Sequence, residues 1–100
     1  EIELASVPLF PGALELAKRG LFSGGAKRGR ATLGPEVEIG GSLDEARVNL
    51  MFDAETSGGL LIVLPEARAA LLERELAARD LPVRRIGRFT ARGARRIRLL

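Results

Sequence analysis

The sequence predicts an α+β fold of the layered α/β kind, a mixed β-sheet covered by helices, and three observations lead there. Short strand-like runs alternate with stretches of helical periodicity along the whole chain. One run, residues 60–64, is apolar throughout and bounded by glycine and proline, as expected of a strand covered on both faces. With 100 residues and 46% hydrophobic content, the chain can build one compact core and is too short for two. Residues 1–100 are therefore expected to form a single domain.

Taken in order, Ile2 and Leu4 alternate with Glu1 and Glu3 at the period of a half-buried strand, which Pro8 and Pro11 end by removing backbone donors. From Pro11 onward, Leu14, Leu16 and Ala17 recur at helical spacing; Lys18 and Arg19 suit the C-terminal dipole, and Gly20 suits the cap. Residues 23–30 hold three glycines, three basic residues and only Ala26 as an apolar side chain, which predicts an exposed loop. Val37 and Ile39, ahead of Gly40 and Gly41, predict a short edge strand. Ser42 then resembles the N-cap of a helix over residues 43–52.

Residues 60–64 are the candidate central strand. Pro65 follows at the first turn of a helix whose Ala67, Leu71, Leu72 and Leu76 share a stripe opposite Glu66, Arg68, Glu73, Arg74 and Glu75. Residues 83–89 and 95–100 are β-compatible, and Ala91, Arg92 and Gly93 between them predict a hairpin.

Composition removes several function classes. There is no cysteine and no histidine, so disulfides, thiolate chemistry and imidazole general bases are excluded. The longest apolar run falls far short of the roughly 20 residues that a membrane-spanning helix needs, so a cytoplasmic protein without membrane contact is expected. No acidic residue follows Asp80, whereas Arg84, Arg85, Arg88, Arg92, Arg95, Arg96 and Arg98 crowd the last stretch. Such asymmetry can mark a nucleic-acid surface. The favoured reading is plainer: these arginines line the solvent face of the hairpin or pair with acidic groups of another domain. A non-catalytic binding module that uses them for RNA or an acidic partner is the alternative function.

Two glycine-rich segments are the candidate ligand sites. Thr56, Ser57, Gly58 and Gly59 combine hydroxyls with flexible backbone whose amides can form an anion-binding nest, although the Lys-Ser/Thr pair of a P-loop is absent. Gly24, Gly25, Lys27 and Arg28 combine flexibility with charge that could attract a phosphate or another anion. Asp53 and Glu55 are spaced to reach one Mg²⁺, but without a third nearby carboxylate they read as capping or solubilising groups, and no metal ligand is assigned.

The segment VPLFPGALELAKRGLFSGGAKRG resembles a selenophosphate synthetase (selenide, water dikinase) block that ends in P-G-G-T-x-R-N, and MFDAETSGGLLIVLPEARAALL is similar to that family's D-P-Q-T-S-G-G-L-L block. Ser23, Ala26 and Gly29 depart from the first pattern, and Ala54 and Glu55 from the second. The resemblance implies the C-terminal domain of an aminoimidazole ribonucleotide synthetase-like fold, with the chain starting inside that domain. Thiamine-monophosphate kinase and the hydrogenase-maturation carbamoyl dehydratase have related folds. It further implies a parent enzyme that makes selenophosphate from selenide, ATP and water with Mg²⁺, as a homodimer. The reactive residues would lie in an N-terminal catalytic domain outside this chain. Alone, the chain is then expected to be inactive, with no catalytic residue and neither ATP nor Mg²⁺ bound.

Overall fold

A computed structural model describes residues 1–55 and 57–100. The chain divides into two compact units, the first built from Glu1–Glu55 with Ile86–Leu100 and the second from Thr56–Arg85. Helices accompany a small parallel sheet, so the architecture is α+β.

The first unit contains α1 (Ala13–Lys18), α2 (Gly24–Leu33), β1 (Val37–Ile39), α3 (Glu45–Leu50) and β2 (Ile97–Leu99). β1 and β2 pair in parallel, Val37 opposite Ile97 and Ile39 opposite Leu99. The predicted first strand is reduced to a single paired residue, Ile2, because the backbone turns into a 3₁₀ helix at Leu4–Ser6. That residue is nonetheless central: it bridges Leu99 in parallel and Gly87 antiparallel. The Ile2 N–H donates to Arg98 O and the Leu100 N–H to Ile2 O, both at 2.8 Å. On the other side the Glu3 N–H donates to Ile86 O at 2.7 Å and the Arg88 N–H to Glu1 O at 2.9 Å.

This arrangement replaces the predicted hairpin. Residues 83–89 and 95–100 do not pair with each other, because the N-terminal segment lies between them and takes both sets of backbone partners. Gly87 shows why that path fits. A Cβ there would fall on the Glu1 carbonyl oxygen, so the close approach requires a residue without a side chain.

Leu4, Val48 and Leu99 form the buried centre, with Ile2, Val37, Leu43, Met51 and Phe52 packed around it. α1 and α2 both pack against α3, which carries Val48 into this core. α1 ends as predicted: Gly20 has φ of 75°, its N–H reaches Ala17 O at 2.9 Å, and the Leu21 N–H reaches Leu16 O at 3.1 Å, a Schellman closure. α3 is shorter than residues 43–52, and its cap is Asp44 rather than Ser42. Asp44 Oδ1 accepts the Ala46 N–H at 2.9 Å and the Arg47 N–H at 3.3 Å. Those amide bonds, led by the one from Arg47, hold the Asp44 carboxyl below its ordinary range, with help from Lys18. Leu43 is thereby the apolar residue just outside the cap, turned onto the core.

The predicted loop at residues 23–30 is instead the start of α2. Ser23 caps it, and Ala26 is buried at 3% exposure. Glycine content suggested flexibility, whereas Gly29 serves close packing: a Cβ there would lie 2.8 Å from Phe52 O.

The second unit contains α4 (Glu66–Ala77), which begins after Pro65 as predicted. Asp80 takes φ of 54° past its end, and the Leu81 N–H closes onto Leu76 O at 3.0 Å. The predicted central strand is not formed. Leu60, Leu61, Ile62 and Val63 are 89%, 75%, 48% and 62% exposed, and among the described residues no backbone hydrogen bond ties residues 60–64 to another segment. A buried strand needs neighbouring strands, and among the described residues none pairs with this run.

Among the described residues, Arg85, Arg88, Arg96 and Arg98 form ion pairs within their own unit. Arg85 meets Glu73 at 2.6 Å, Arg88 meets Glu1 at 2.8 Å, Arg98 meets Glu38 at 3.1 Å, and Arg96 meets Glu36 at 3.5 Å. These partners all come from this chain.

Two predictions follow from these contacts. Gly87→Ala should destabilise the chain by roughly 1–3 kcal/mol through overpacking, seen as a lower urea midpoint at unchanged slope; an unchanged midpoint would show that the strand path is wrong. Hydrogen bonding by Arg88, chiefly, holds the Glu1 carboxyl below the usual glutamate range. Its contribution is thus complete above that range and lost as pH falls through the depressed value. Stability should fall less steeply with acid in Arg88→Ala than in the native chain, and parallel profiles would dismiss the linkage.

Candidate functional site

The start of α2 is fixed by a hydroxyl with two partners. Ser23 has extended backbone (φ −64°, ψ 155°), and its Oγ accepts the Ala26 N–H at 3.0 Å. The same hydroxyl donates its proton to Asp53 Oδ1, which also accepts the Ala54 N–H at 2.9 Å. One serine–aspartate bond therefore joins the start of α2 to Asp53, just past the end of α3 in the same unit.

Gly24, Gly25, Lys27 and Arg28 lie together on the first half of α2. Lys27 and Arg28 are exposed. Arg28 folds back toward the helix start, so that a Cβ on Gly24 would lie 3.2 Å from its Nη1. A Cβ on Gly25 would lie 3.3 Å from Ser23 Oγ and 3.8 Å from Ala54 Cβ, so Gly25 keeps the serine–aspartate joint uncrowded. Arg30, further along, donates to Asn49 Oδ1 and meets Glu45 at 2.6 Å, which clamps α2 to α3.

Ser57, Gly58 and Gly59 are exposed in a turn of the second unit, and Thr56 lies outside the described residues. The first four candidates are thus gathered on one helix, whereas the other described candidates belong to a different unit.

The chemistry available is electrostatic. Lys27 and Arg28 offer cations beside a helix N-terminus, whose dipole also favours anions. Asp53 sets a carboxylate against the same turn through Ser23, so an entering phosphate would meet both attraction and repulsion. Mg²⁺ does not fit: among the described residues no three acidic, histidine or cysteine side chains converge, and Asp53 Oδ1 already accepts two hydrogen bonds. No step is therefore routed through a metal.

The importance of Ser23 and Asp53 escapes a local reading. Ser23 occupies a good N-cap position, but Ala26 stands where a capping box would carry Glu or Gln. The carboxylate arrives from a distant segment instead. The serine among glycines was the available signal.

Comparison with known proteins gives consistent results. The selenide, water dikinase of Caldanaerobacter subterraneus subsp. tengcongensis is 46% identical over 76 residues, covering 76% of this chain and 22% of that protein. That of Clostridioides difficile is 31% identical over 101 aligned positions, covering the whole chain and 29% of that protein. The chain belongs to the selenide, water dikinase family. The Pseudomonas straminea member is 43% identical over 61 residues, 61% of this chain and 17% of that protein. The chain thus spans less than a third of the length of these selenide, water dikinases. No protein-family model matches it, and no solved structure gives a significant match. The two segments that resemble the selenide, water dikinase motifs, residues 7–29 and 51–72, contain the two partners of the Ser23–Asp53 bond.

Ser23→Ala removes the cap and the proton donor to Asp53 together. It should cost roughly 0.5–2 kcal/mol in urea unfolding and speed amide exchange at residues 24–28. Unchanged exchange there would show that the bond does not hold the helix start.

Proposed function

We propose that the chain is part of a selenide, water dikinase, to which it contributes scaffold and ligand-closing elements for making selenophosphate from selenide, ATP and water. The likeness to selenide, water dikinases along the chain carries this reading, and within the first unit the Ser23–Asp53 bond ties residues 7–29 to the opening residues of the second motif. In the whole enzyme, Lys27 and Arg28 would face the phosphate or selenium anion, with Gly24 and Gly25 allowing close approach. Thr56, Ser57, Gly58 and Gly59, whose sequence resembles the family's second motif, would supply further ligand-binding groups in the whole enzyme. Phosphoryl transfer depends mainly on positioning and charge stabilisation, which such groups supply.

The chemical residues and the Mg²⁺ ligands would come from an N-terminal catalytic domain, within a cytoplasmic homodimer. This portion would adopt the C-terminal fold of the aminoimidazole ribonucleotide synthetase-like superfamily. Among the described residues no helix is long and apolar enough to cross a membrane. No structural observation favours the alternative of an RNA-binding module, and among the described residues Arg85, Arg88, Arg96 and Arg98 are engaged by this chain's own carboxylates.

The test joins the chain to the N-terminal portion of a selenide, water dikinase. The chain alone should not consume ATP, whereas the chimera should do so in a selenide-dependent manner. Lys27→Ala and Arg28→Ala in the chimera should raise KM for ATP or selenide more than they lower kcat. A folded chimera without selenide-dependent turnover would overturn the proposal.

A further inference from the structure

Met51 is the chain's only methionine, and with no cysteine present its Sδ is the only sulfur atom. It follows α3 as the C-cap residue, half-buried, and packs against Leu4, Val48 and Leu99. It also lines a cavity of about 120 Å³ with Ile2, Leu33, Val37, Phe52, Ile97 and Leu99. Leu33 and Ile97 are exposed, so the cavity opens to solvent and admits molecules the size of water. Every lining side chain other than Met51 is a hydrocarbon. None can donate a hydrogen bond to a new oxygen.

We propose that Met51 is a sulfoxidation site, and that its oxidation loosens the seam between the end of α3 and the start of α2. With hydrogen peroxide as oxidant, a sulfur lone pair attacks one peroxide oxygen, the S–O bond forms and the O–O bond breaks. The second oxygen leaves as water after proton transfer; sulfur is oxidised by two electrons and peroxide is reduced. The sulfoxide oxygen then lies unpaired among hydrocarbon groups or turns outward and withdraws the side chain from the core, and both outcomes destabilise the unit.

The strain has a short route to the candidate site. The next residue, Phe52, presents the carbonyl against which Gly29 packs, and Asp53 follows as the acceptor for Ser23. Movement at Met51 therefore loads both contacts that hold the first half of α2.

The test treats the full chain with hydrogen peroxide, locates the added oxygen by peptide mass, and measures urea unfolding and amide exchange. Oxidation should raise the unfolding equilibrium constant roughly 5- to 30-fold. Exchange at residues 24–30 should accelerate, and methionine sulfoxide reductase should reverse both effects. Met51→Leu, which conserves volume, should leave the chain folded and insensitive to peroxide. The proposal is overturned if Met51 stays unmodified at a peroxide concentration that oxidises free methionine. It is equally overturned if oxidised chain keeps its urea midpoint and its exchange rates at residues 24–30.

Discussion

Backbone pairing of residues 1–4 with two segments from the far end of the chain is the constraint on which the first unit depends. Glu1 and Glu3 bond to residues 86 and 88, while Ile2 and Leu4 bond to residues 98 and 100. This ladder sets β2 in place to receive β1 and lowers Leu4 onto Val48 and Leu99. Arg47 reinforces it from α3 by donating to Leu4 O at 2.9 Å and Val7 O at 3.3 Å. Leu4 O also accepts the Val7 N–H at 3.4 Å within the 3₁₀ turn, and the guanidinium adds a charged donor to it.

The elements legible in the sequence were those decided within a few residues. α1 carries its own periodicity and closing glycine, α4 has Pro65 and an amphipathic stripe, and β1 needs only Val37 and Ile39 ahead of a glycine pair. Elements settled by distant partners were not legible. Residues 83–89 and 95–100 fit a hairpin locally, but nothing local reveals that residues 1–4 enter between them. Residues 60–64 carry the composition of a buried strand, yet composition cannot supply the neighbours that would bury it.

The same distinction runs through the candidate site. The glycine-rich segments could be picked out, and their likeness to a family recognised, from residue order alone. Their conformations could not. Three glycines in eight residues predicted a loop because glycine weakens isolated helices, but the cost is local and is offset by packing that only glycine permits. Gly29 against Phe52 O is that packing, and Ser23, bonded to Asp53, caps the helix start. Ala26, the one apolar side chain in the run, becomes a buried contact once the helix exists.

Parallel pairing of β1 with β2 also bears on the order of events during synthesis. Residues 37–39 wait for residues 97–99, and residues 1–4 wait for both 86–88 and 98–100. On a ribosome adding about 5–20 residues per second, α1, α2 and α3 emerge seconds before the backbone that completes their sheet. Contacts so distant in sequence form slowly even in a released chain. The nascent first unit therefore passes through a stage in which Leu4 and Val48 lack Leu99, and that stage is when chaperone capture or misassociation would compete with folding.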